Sequence, residues 1–318
     1  MRRAAASKAS PQYTARMADN DRASGRRLDA VAVDAALRRL ALAPEPPWLH
    51  REVARRMGER LAPIRAQPAR ILDWWAGPGG GAAVLRERYP KAQIVAVEPE
   101  ARWLGRRSGR ARKPWRWFGG TAPEAHVAGE DDVSIGHAQL VWANMMLHGV
   151  VDPPALFARW HRLLDIEGFV VFSCLGPGTL RELRELYAAM AWPAPTPGFI
   201  DMHDLGDMLV AAGFAEPVMD QETLVLSWPS AEALLVELHQ LGGNAAPDRF
   251  CGLRTPAWRR RLVSELGARA SADGRIALSF EVAYGHGFKS APRGRAGEPV
   301  AVSLEDMRAM VRRPPGSR

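Results

Sequence analysis

Cysteine is almost missing from this chain of 318 residues, which has two, Cys174 and Cys251. That excludes a disulfide framework and suits a reducing cytoplasm, the expected location. Long apolar runs are missing too. No uninterrupted stretch reaches the length of a membrane span, and the N-terminus lacks the charged-then-apolar order of a signal peptide, so a soluble protein with no membrane partner is expected. There is no internal repeat. The formal net charge of +8 would suggest nucleic acid if it lay on a folded surface, but it lies in the tails. Residues 1–27 hold seven basic and two acidic residues, and residues 289–318 hold seven and three. The body between them is near neutral, so no nucleic-acid surface is implied. Both tails are rich in Ala, Arg, Ser, Pro and Gly and are expected to be largely disordered.

What is present is enough apolar residue, 47% of the chain, to build a sizeable core across residues 28–288. The organising stretch is Ile71 to Gly81, Ile-Leu-Asp-Trp-Trp-Ala-Gly-Pro-Gly-Gly-Gly. It reads as a strand ending in an acidic residue, then a glycine turn, with helix-forming residues from Ala82 to Tyr89. Such a turn lets a ligand approach backbone without meeting a Cβ atom. The next strand, Gln93 to Glu98, ends in a carboxylate 25 residues after Asp73, near the spacing at which an acidic side chain meets ribose hydroxyls.

A helical arm is expected over Leu28–Leu61, broken at Pro44-Glu45-Pro46-Pro47. Further strands are expected at Trp115–Phe118, His137–Ala143 and Gly168–Cys174, with helices at Pro99–Arg107 and Pro153–Leu164 between them. The almost wholly apolar Gly168–Cys174 run is typical of a strand covered on both faces. This alternation argues for an α/β fold, a doubly wound, mostly parallel sheet with ligands at the C-terminal strand ends. Beyond Pro177 come helices at Thr179–Met190 and Asp201–Ala212, a strand at Pro217–Ser227, a helical insertion at Ser230–Leu241 and Pro256–Leu266, and a final strand at Ile276–Val282. Asp201, His203, Asp204 and Asp207 resemble a metal cluster by composition alone; an acidic helix start explains them, and no metal is expected. The arginine-rich segment Arg102–Arg116 reads as a solvated face or as a docking patch for an acidic partner.

Asp73 to Gly79, Glu98 and Asn144 resemble the S-adenosylmethionine-dependent methyltransferases of the Rossmann-like class. More narrowly, the chain is similar to the BioC family, the malonyl-(acyl carrier protein) O-methyltransferases of biotin synthesis. That similarity rests on Trp48–Met57, Arg162-Leu163-Leu164, Gly176–Leu183, Asp201–Asp207, Gly213-Phe214, Pro217–Asp220 and Asp273-Gly274-Arg275. The resemblance implies S-adenosylmethionine as cofactor and acyl carrier protein as partner. It implies that Gly77 and Gly79 pass close to the methionine end of the cofactor, that Asp73 orients that end and that Glu98 accepts from the ribose. It also implies that Thr121 lies at the adenine position and Asn144 beside the methyl donor. The segment Ser230–Leu266 would cover the substrate. Methylation of a carboxylate needs little acid-base assistance, and no catalytic triad is seen; His148 is a candidate for assisting the substrate or for a structural hydrogen bond.

Three places in the chain depart from the family pattern. Trp75 stands where the first glycine of Asp-x-Gly-x-Gly-x-Gly belongs, Thr121 replaces an acidic residue, and His148-Gly149 replaces a glutamine-tryptophan pair. Trp74 and Trp75 read equally as core packing or as a plug over the cofactor site. These departures keep a second reading open, a non-catalytic methyltransferase-like binding or assembly factor. A relative of the same superfamily that hydroxylates an arginine shows that the scaffold hosts other chemistry as well.

Overall fold

The computed structural model describes residues 27–99, 126–131 and 137–291. The expected strand at Trp115–Phe118, the Arg102–Arg116 patch, Thr121, nearly all of the expected Pro99–Arg107 helix and almost all of both tails lie outside the described residues.

The helical arm is two helices. In α1 (Ala30–Leu42) the Asp29 side chain accepts from the N–H groups of Val31 and Ala32, an ordinary N-cap. The proline run ends it, and α2 (Trp48–Arg60) follows. Leu49, Val53 and Met57 recur every four residues along α2 and are buried with Ala54, whereas no residue of α1 is fully buried. The arm therefore has an anchored half and a lightly held one.

Seven strands form one sheet: β1 (Arg70–Trp74), β2 (Gln93–Glu98), β3 (His126–Gly129), β4 (Ala138–Ala143), β5 (Leu164–Leu175), β6 (Ala215–Trp228) and β7 (Ile276–Phe288). Their order is β3-β2-β1-β4-β5-β7-β6. The first five pair in parallel, and β7 is inserted antiparallel to both neighbours. Successive residues of β1 face opposite ways, so Ile71 joins one core and Leu72 the other. On the first face lie α2, α3 (Ala82–Arg88), α5 (Arg181–Ala189), α7 (Ala231–Gln240) and α8 (Pro256–Gly267). On the second lie α4 (Pro153–Leu163) and α6 (Met202–Ala211). Asp201 caps α6 by accepting from His203 N–H at 2.8 Å. Double cover explains the unbroken burial of β5 from Gly168 to Cys174. At the sheet edge, β6 alternates exposed and partly buried residues instead. The sheet's C-terminal edge at β1, β2 and β4 carries the candidate site.

Candidate cofactor and substrate site

Backbone geometry at the end of β1 shapes the site. Trp75 sits at φ 53, ψ 47, in the left-handed region. A bulky residue rarely adopts that conformation and glycine adopts it freely, which is the physical reason a glycine suits position 75. The chain then makes a single helical turn, Ala76–Gly79. The two indoles part company here. Trp74 is fully buried and packs edge-on against Trp160, centroids 5.9 Å apart. Trp75 lies along a cavity wall against Gly149, where a Cβ atom would come 3.4 Å from its ring. Both indole N–H groups donate to one oxygen of Glu130, from Trp74 at 2.7 Å. Burial pushes the Glu130 carboxyl up, and the indole N–H groups oppose that shift. Trp74 is core and Trp75 is wall. Glu130 was not singled out by the sequence, because no charge or spacing ties it to Trp74 and Trp75.

Glu98, at the end of β2, is buried and accepts from Gly77 N–H at 2.9 Å. Asp73 is buried on β1, in register with Ala96 and Trp142. Asn144 follows β4 and is also buried. Its amide donates to the carbonyls of His50 at 2.8 Å and Gly79 at 2.6 Å, while its oxygen accepts from Ser173 Oγ at 2.7 Å. The glycine turn fits tightly against this strand end: a Cβ on Gly79 would lie 3.1 Å from the Asn144 carbonyl oxygen. Gly79 thus serves close packing of protein on protein. His50, on α2, holds Nδ1 2.8 Å from the Pro78 carbonyl, and burial drives its pKa down to about 4. His50 and Ser173 were missed as site residues, since nothing in local spacing links them to Asn144.

Next to the turn lies a cavity of about 310 Å³. Its walls come from α1 (Val33, Ala36, Leu37, Leu40), from Trp75, Pro78, Met145 and Met146, and from Leu235 and Leu238 of α7. The segment expected to cover the substrate thus lines it. Polar groups are few: His148, Tyr187, Thr196, His239 and Asn244. Burial raises the Tyr187 phenol, which keeps it a donor. His148 accepts from Leu175 N–H at Nδ1 over 3.4 Å, and its ring stands edge-on to His50 at 6.5 Å. The structure brings Asp73, Trp75, Gly77, Gly79, Glu98, Asn144 and His148 together at one end of the sheet. Among the described residues no group of three His, Cys, Asp or Glu is placed to hold a metal ion, and no helix is long and apolar enough to cross a membrane.

The residues present fit an adenosyl cofactor. Glu98 offers a buried carboxylate, an acceptor for ribose hydroxyls, at the backbone N–H of the turn. Trp75 leaves the turn formed, with its ring hooked to Glu130 and drawn against the wall.

Residues 48–216 match the family model described as a methyltransferase domain. The chain is 40% identical over 251 residues to the malonyl-(acyl-carrier protein) O-methyltransferase of Gallionella capsiferriformans, covering 77% of this chain and 85% of that protein. Against the enzyme of the same name from Laribacter hongkongensis the identity is 38% over 253 residues, covering 78% and 84%. For that of Halorhodospira halophila it is 37% over 241 residues, covering 75% and 80%.

Proposed function

The chain belongs to the methyltransferase-domain family, and from that membership we propose that it uses S-adenosylmethionine to methylate the free carboxylate of a malonyl group held on acyl carrier protein, a step of biotin synthesis. The observation that carries this reading is the shared wall between the two halves of the site. Trp75 and Pro78 belong to the turn that meets Glu98 and also line the cavity. A methyl donor in the turn and an acceptor in the cavity would be neighbours.

Asp73, Gly77, Gly79 and Glu98 are the residues that would hold the cofactor, with Asn144 acting behind them. When bound, S-adenosylmethionine supplies an electrophilic methyl group. A carboxylate is already ionised at neutral pH, so this chain has no proton to remove before the reaction. What its residues do is exclude water and fix orientation. Apolar walls of α1 and α7 strip solvent from an entering carboxylate and so raise its reactivity. Tyr187, Thr196 and Asn244 supply donors in that wall. His148 lines the cavity with Nδ1 accepting from Leu175 N–H, which supports a positioning role for it.

Calorimetric titration with S-adenosylmethionine and with its demethylated product tests the cofactor half. Mass spectrometry of malonylated carrier protein tests the acceptor half by the gain of one methyl group. Saturable binding and methyl gain are expected. A folded protein that binds neither ligand would overturn this reading in favour of the non-catalytic binding factor.

A further inference from the structure

From Arg249 to Arg261 the chain holds five arginines and no acidic residue, although the body as a whole is near neutral. Asp248 precedes the run and Glu265 follows it, the latter paired with Arg269. Arg249 is turned inward onto Asp29, at 2.6 Å. The others face out. Arg259, Arg260 and Arg261 occupy exposed positions on α8, whereas Leu262 and Leu266 bury that helix in the core.

Arg254 is held differently. Its guanidinium carbon lies 3.9 Å from the ring centroid of Phe250 and 4.3 Å from that of Trp258. Stacking on two rings fixes a side chain that would otherwise be mobile, so less freedom is lost when it meets an anion. Apolar groups stand beside it: Leu253 is 97% exposed and Phe250 44%. A single exposed leucine is unremarkable. Here it sits at the tip of a loop with a half-exposed aromatic and a stacked arginine, the composition of an interface centre and not of an ordinary rim.

This surface adjoins the cavity. The Trp258 ring that carries Arg254 lies 6.4 Å from Tyr187, and Tyr187 is in the cavity wall. One aromatic layer separates the arginines from the space where an acyl group would react.

We propose that the face built by residues 249–261 is the docking surface for the acidic carrier protein, with Leu253 and Phe250 as the apolar anchor and Arg254, Arg259, Arg260 and Arg261 as the charge partners. The inference rests on the reading of the substrate as carrier-bound. An acyl group tethered to a protein enters the cavity while its carrier stays outside, and the carrier needs a surface next to the entry. Cationic side chains around an apolar anchor steer an acidic partner to that place and set its orientation.

The test is the triple variant R259E/R260E/R261E, with R86E on α3 as a charge-reversal control elsewhere on the surface. Fluorescence anisotropy of labelled acyl carrier protein reads docking without catalysis. Methyl transfer to the malonyl thioester of N-acetylcysteamine, which is small and lacks the carrier, reads the chemistry without docking. The triple variant is expected to lose about tenfold or more in carrier affinity, with a weaker salt dependence, and to keep its rate on the small thioester. R86E is expected to change neither. Unchanged carrier affinity in the triple variant overturns the proposal, as does an equal loss in both assays or a wild-type protein that binds no carrier. A wild-type protein that binds the carrier but methylates neither substrate counts against the methyl-transfer reading alone, and the docking surface then stands or falls on the anisotropy of the triple variant.

Discussion

Ser173 completes the hydrogen bonding of the buried Asn144 side chain. The serine hydroxyl donates to Asn144 Oδ1 at 2.7 Å, which leaves the amide nitrogen to donate to the carbonyls of His50 and Gly79. Carbonyls only accept, so the reversed amide would lose its bonds to both. One buried side chain therefore ties α2, the glycine turn, β4 and β5 together. Positions on four separate segments move as a unit.

Replacing Ser173 with alanine removes the donor to Asn144 and the acceptor of Met145 N–H, which it binds at 3.0 Å. Leaving buried polar groups unsatisfied costs about 1–3 kcal/mol. The urea midpoint should fall with the slope unchanged, and cofactor affinity should fall with it as the turn loosens. A midpoint equal to the wild type would show that the network is not what holds the turn.

Glu98→Gln keeps the shape of the side chain and an oxygen for Gly77 N–H, but removes the charge. Charge-assisted hydrogen bonds contribute about 1.5–3 kcal/mol, so cofactor affinity should drop about tenfold or more while thermal stability changes little. Calorimetric titration of the two proteins makes the comparison. Equal affinities would mean that Glu98 has a purely structural task.

The sheet was legible where apolar pattern and burial coincide. β5 is buried on both faces and reads as an apolar run, and the Asp73–Glu98 spacing marks the strand ends that form the site. β7 runs on to Phe288, beyond the expected end at Val282. Gly285, His286 and Gly287 hide that extension, because a small residue there is required by packing: a Cβ on Gly285 would lie 2.3 Å from the Phe172 ring. β3, four residues long, has too little pattern to announce itself. The contacts that shape the site, Trp75 with Glu130 and Asn144 with Ser173 and His50, join segments far apart in sequence. No local spacing encodes them.

The conformation of Trp75 can be tested by comparing two variants that both delete the ring. Losing a buried Trp side chain costs about 3–5 kcal/mol, against about 1–2 kcal/mol of backbone strain relieved only by glycine. Trp75→Gly and Trp75→Ala should both be less stable than the wild type. Trp75→Gly should be the more stable of the two by about 1 kcal/mol, since alanine keeps the strain at φ 53. If alanine proves the more stable, residue 75 is not held in the left-handed region in solution.

No residue of α1 is fully buried, yet the helix forms one wall of the cavity, held there by polar contacts. Asp29 N–H donates to Ala245 O at 2.9 Å, Asp29 accepts from Arg249, and Arg39 donates to Gly242 O. Arg249→Ala should speed hydrogen exchange across residues 30–42 while the global unfolding free energy changes by less than about 1 kcal/mol. Exchange that stays slow in α1 would show that apolar contacts with the cavity walls suffice to hold it.

His50 sets a pH window for stability. Its native pKa is lowered to about 4 by burial, below the ordinary value of 6.5, so the native state resists a proton that the unfolded chain accepts. A group of this sign contributes its full stability above pH 6.5. As pH falls from there to about 4 the unfolded state is increasingly favoured, and below about 4 no further loss accrues from this group. The whole effect is on the order of 3 kcal/mol, from about 2.5 pH units of difference. Urea unfolding of the wild type between pH 7 and pH 4 should show that slope, and the His50→Gln variant should show a shallower one. Parallel slopes in the two proteins would assign the acid sensitivity to the carboxylates instead.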